Sequence, residues 1–182
     1  MTPYPLGGDG ALPPPVGRLK AAYLSFARAV ETDADLKNHA TVRVWRTEAG
    51  GRTRAVRPGP VPSRAQTPLV WIGPIGAPAE WFAEGQHYIP LGVQVQCHVV
   101  GGPDEALDLA ERVIRAVYPY EQTRPERAAE VKRLLGPAEQ VTLVDLGLPR
   151  PEGLAEAENE PTPDLCRCDL LFRLEVYLST GE

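Results

Sequence analysis

CDLLFRLEVYL, residues 168–178, carries the strongest pattern in the chain. Cys168, Leu170, Phe172, Leu174, Val176 and Leu178 alternate with Asp169, Leu171, Arg173, Glu175 and Tyr177. Side chains two apart share a face in a strand, whereas a helix pairs positions three and four apart, so this run reads as a long strand with one apolar face. A second run, GVQVQCHVV at 92–100, repeats the pattern: Val93, Val95, Cys97 and Val99 form a dry face and Gln94, Gln96 and His98 a wet one.

Working outward, GGPDEALDLAERVIRAV (101–117) switches the period to that of a helix. Pro103 suits the first turn, Asp104 and Glu105 suit the positive end of the helix dipole, and Ala106, Leu107, Ala110, Val113, Ile114 and Val117 form the apolar stripe. Leu19, Tyr23, Phe26 and Val30 predict an earlier helix over 16–30, slowed or ended by Thr32, Asp33 and Asp35. TVRVWR (41–46) reads as a strand, and Gly50 and Gly51 before RTRAVR suggest a hairpin. LVWIG after Pro68 and VTLVDL (141–146) read as further strands, with a short helix over 125–135 that stops at Gly136 and Pro137. The sum is an α+β fold: a mostly antiparallel sheet of about four to six strands with two main helices packed on one face.

The chain has 182 residues, 20 of them Pro and 17 Gly, and these cluster at the joints. Residues 1–15 read as a flexible arm and 16–182 as one domain, with a basic hairpin or loop at about 43–64 and a Pro/Glu-rich insert at about 147–163. No run is long and apolar enough to cross a bilayer as a helix, and residues 1–15 lack the basic start and apolar run of a signal peptide. Three cysteines, Cys97, Cys166 and Cys168, are expected to be reduced thiols.

Motifs for chemistry are missing from the sequence. Cys-x-Cys in a strand points both sulfurs to one face without the spacing zinc needs, and Cys97 and His98, as strand neighbours, project to opposite faces. The Gly101 and Gly102 turn lacks the further glycine and lysine of a phosphate loop. The sequence therefore predicts no catalytic residue, no metal and no cofactor. A rival reading, a small enzyme or ligand-binding domain, would put its site around Trp71, Trp81, Phe82 and His87.

Charge is distributed unevenly. The net charge of −5 argues against a protein whose task is gripping nucleic acid. Arg43, Arg52, Arg54 and Arg57 belong to a basic segment ending at Arg64, while Glu152, Glu156, Glu158 and Glu160 lie in an acidic one. Either these are solvated loops, or the basic segment of one copy meets the acidic segment of the next and closes a ring. Gln94, Gln96 and His98, with Arg173, Glu175 and Tyr177, likewise face water or a partner.

Together, the leading helix ending in DADLKNH, the strands VRVWR and PLVWIGP, the loop EWFAEGQHYI, the strand entering GGPDEALDLAERVIRAV and the late strand LLFRLEVYL resemble the tail terminator family of long-tailed bacteriophages. The resemblance spans residues 18–178. It implies a virion protein, assembled in the host cytoplasm, that forms a hexameric ring capping the tail tube. The implied partners are the tail tube protein below and a head-to-tail connector or neck protein above, with DNA passing through unbound and no membrane involved.

Overall fold

The computed structural model describes residues 17–46, 66–82, 88–151 and 165–177. Helix α1 (Arg18–Glu31) follows Gly17, whose φ of 95° lies in the left-handed region that glycine tolerates best. Its Tyr23, Phe26 and Val30 are buried, as their spacing predicts. The chain does not simply stop there. Asp33 Oδ1 accepts the Leu36 N–H at 3.0 Å and starts a separate short helix, α2 (Ala34–His39).

Strand β1 (Thr41–Val44) pairs in parallel with β2 (Leu69–Ile75), in a register running from Thr41↔Leu69 to Val44↔Ile72. The expected hairpin over Gly50, Gly51 and RTRAVR lies outside the described residues, as do Arg52, Arg54 and Arg57, residues 1–15, and Glu152, Glu156, Glu158 and Glu160. A 3-10 turn at Ala79–Trp81 precedes β3 (Tyr88–Val100). At the end of β3, Gly101 with φ 143° turns the chain into helix α3 (Pro103–Val117), where the Glu105 carboxylate accepts the Gly102 N–H at 2.8 Å. Helix α4 (Pro125–Leu134), strand β4 (Gln140–Leu146), the two-residue β5 (Arg150–Pro151) and β6 (Leu165–Tyr177) complete the order.

The sheet runs β1-β2-β3-β6-β4, with β5 pairing β6, and every pairing except β1 with β2 is antiparallel. Strands β3 and β6 pair along their full length, from Tyr88↔Tyr177 to Val100↔Leu165. The fold is thus α+β, with α1 and α3 on one face of the sheet. Phe26 from α1 and Phe172 from β6 meet at that seam with ring centroids 4.9 Å apart, both fully buried among Val93, Val95, Val113 and Val117. Removing such side chains from water is worth about 1.5–3 kcal/mol each, so the seam is the main anchor of the two layers. Cys97, Cys166 and Cys168 are all buried on this face as free thiols, with Cys97 directly opposite Cys168.

Candidate assembly interface

With both main helices on one face, the other face of the sheet belongs to the polar half of each alternating strand. The register sets Gln94 beside Leu171, Gln96 beside Asp169 and His98 beside Arg167, while Gly92 faces Arg173 and Pro90 faces Glu175. Arg43 on β1 joins the same face, opposite Trp71. Of the residues singled out by charge and alternation, Arg43, Gln94, Gln96, His98, Arg173 and Glu175 are therefore brought to one surface.

That surface is less wet than the alternation predicts. Gln96 is 9% exposed and His98 3%, and His98 Nε2 lies 3.2 Å from Gln96 Oε1. The cause is in the register: Gln96 is flanked by Trp71, and His98 by Leu69 and Arg167, all longer or bulkier. Such cross-strand cover cannot be read from one strand's alternation. Gln94 is only half-buried, and Arg43 is exposed.

Aromatic rings make up much of the rest. Trp71 folds back over Gly73 and stacks with Trp45 at a centroid distance of 6.4 Å; its indole N–H is buried and has no acceptor among the described residues. Below the stack, the Tyr23 hydroxyl donates to the Trp45 carbonyl at 2.6 Å, and burial pushes its pKa well above the usual range. The Arg173 guanidinium sits over the Trp81 ring at 5.5 Å, and Tyr88 and Tyr177 meet at 5.3 Å.

The β6 charges on this face are neutralised in place. Arg167 holds Asp169 through two bonds of 2.6 and 2.7 Å, Arg150 reaches Asp169 at 3.0 Å, and Arg173 pairs with Glu175 at 2.6 Å. Each acid stands two residues from its arginine on β6, so both project from the same face.

Both sheet edges end without a further strand among the described residues. The β4 edge is apolar: Val144 is 45%, Leu146 46% and the following Leu148 88% exposed, with a bulge between Leu143 and Asp145. The sequence signalled β4 as a strand but not that these residues would lack cover.

The residues of the rival site are only partly among those described. Trp71 and Trp81 are buried, Phe82 is exposed, and His87 lies outside the described residues. Two open grooves lie at the helices. One, of about 350 Å³, is lined by His39, Asp104, Asp108 and Arg112; the other, of about 420 Å³, by Asp33, Asp35, Arg115 and Arg124. Their charged groups are paired to each other, as in Arg112 with Asp35 at 2.8 Å and Arg124 with Asp33 at 3.1 Å. Among the described residues no group of three or more His, Cys, Asp or Glu is placed to hold a metal ion, and no helix is long and apolar enough to cross a membrane. Burial raises the Cys97 and Cys168 thiol pKa values, with Cys168 and Asp169 adding to the shift at Cys97, which keeps both thiols protonated and poor nucleophiles.

No protein-family model matches the sequence, and no curated protein matches it.

Proposed function

We propose that this chain is a structural, non-enzymatic subunit of a long-tailed phage or tail-like particle, which closes into a ring that caps the tail tube and joins it to the head or neck. The observation that carries this reading is the apolar β4 edge, with Val144, Leu146 and Leu148 exposed on a strand that has no outer partner among the described residues. Single exposed apolar residues are ordinary, but a run of them on a sheet edge is a template for another chain.

The helix-free face supports the same reading. A surface that transmits DNA must not hold phosphate, and Arg167 and Arg173 are each neutralised by an acid on their own strand. Trp, Tyr and Arg are also the residues that dominate protein contacts. Another neck or tail-completion connector of the same fold would share these features and differ by its position in the particle. The virion setting belongs to this proposal too.

The test is size-exclusion chromatography with light scattering on the full chain at rising concentration, with and without isolated tail tubes. The expected result is a discrete oligomer that binds tube ends. A monomer that fails to associate with tubes refutes the reading; loss of function on replacing His87 and His98 with assembly intact favours the ligand-binding rival.

A further inference from the structure

Strand direction limits how copies can join. Following the pairings across the sheet, β2 runs with β1, β3 against them, β6 with β1 again, and β4 against it. The two edge strands β1 and β4 therefore point in opposite directions. When a second copy stands beside the first in the same orientation, its β1 meets the first copy's β4 antiparallel, with both helix layers on the same side. That contact is heterologous, and repeated with a small rotation it closes a ring.

The side chains select a register. On the helix side, Val42 shares its row with fully buried Val70, and Leu146 shares its row with fully buried Leu170. On the other side, Arg43 lies in the row of Trp71 and Asp145 in the row of Leu171. Arg43 and Asp145 are both exposed. Setting Arg43 opposite Asp145 sets Val42 opposite Leu146, so one register satisfies charge and apolar matching together, and a one-residue slip breaks both. The sequence that follows these strands is also uneven in charge. Residues 47–65, after β1, hold four arginines and one acid, whereas residues 152–164, after β5, hold five acids and no base.

We infer that the subunits of the ring join by antiparallel pairing of the β1 edge of one copy with the β4 edge of the next, with Arg43 against Asp145 and Val42 against Leu146. The inference rests on the ring reading and specifies its interface.

Three variants test it in the full chain: Arg43→Asp, Asp145→Arg and the two combined, followed by light scattering. Each single reversal sets like charges face to face and is expected to raise the half-assembly concentration by about tenfold, while the combined variant returns it toward the original value. A fourth variant, Arg43→Cys with Asp145→Cys, is expected to give disulfide-linked chains between copies under mild oxidation, and Arg43→Cys alone is not. An oligomer that ignores both reversals and yields no cross-link overturns the edge pairing and leaves the ring reading standing. A chain that stays monomeric at every concentration overturns both.

Discussion

Replacing Gly73 with alanine tests how the helix-free face is built. A Cβ at Gly73 would stand 2.2 Å from Trp71 Cη2 and 2.6 Å from Cζ2, so the indole must leave its place; Trp71 is now only 5% exposed. A tryptophan buries about 150–250 Å², worth about 4–6 kcal/mol at 25 cal/mol/Å², so half-exposing it costs about 2–3 kcal/mol. The alanine returns about 0.5–1 kcal/mol by restricting the unfolded chain, leaving a net loss of about 1–2.5 kcal/mol. Gly92→Ala, where the Cβ meets Ile75 Cγ1 at 2.8 Å and the Ile75 carbonyl oxygen at 3.2 Å, should cost less, because an isoleucine can shift more easily than an indole. Gly76→Ala meets nothing within 4 Å and should be neutral or slightly stabilising. Urea unfolding followed by circular dichroism gives the three values, and tryptophan emission should shift to the red only for Gly73→Ala. A Gly73→Ala protein as stable as the parent, with unchanged emission, would refute the packing of Trp71 over Gly73.

Three further outcomes follow from other parts of the fold. Asp33→Ala removes the α2 cap and the carboxylate facing Arg124 and Arg127, and should cost about 2–3 kcal/mol in thermal unfolding; Asp33→Asn keeps a capping oxygen and should cost about half as much. Cys97 and Cys168 have raised pKa values in the folded state, so their contribution is complete below the ordinary thiol value of 9.0 and declines as pH rises above it. Between pH 9 and 10 the unfolding free energy from urea titration should fall, and a Cys97→Ala, Cys168→Ala protein should show a shallower decline. Leu146→Lys should leave the fold intact by circular dichroism and weaken self-association by light scattering, because a charge on an edge strand opposes pairing with another strand.

Much of this architecture is legible in the sequence where one physical signal acts alone. The alternation over 168–178 and 92–100 identifies β6 and β3, and the Pro103 start with its apolar stripe identifies α3, because each is a local pattern imposed by one buried face. Partners are harder to read. The parallel pairing of β1 with β2 is made across a long separation in sequence, which no local pattern signals. Thr32 and Asp33 end α1 as they read, but the sequence does not show that Asp33 also caps the start of α2. Strand β5 is two residues long and has no period to detect. For the candidate interface, alternation correctly assigns Gln96 and His98 to the helix-free face but not their burial, which comes from Trp71, Leu69 and Arg167 on neighbouring strands. The exposed apolar edge at Val144, Leu146 and Leu148 is likewise a product of strand order, which the sequence alone does not state.

A native mass spectrum of the 182-residue chain reads out whether its copies associate into a closed ring. The expected spectrum holds one dominant species at a fixed whole-number multiple of 19.8 kDa, with ring-shaped projections in electron micrographs of the same sample. A spectrum of single chains that persists as concentration rises, or an open series of growing masses with no preferred size, would contradict it.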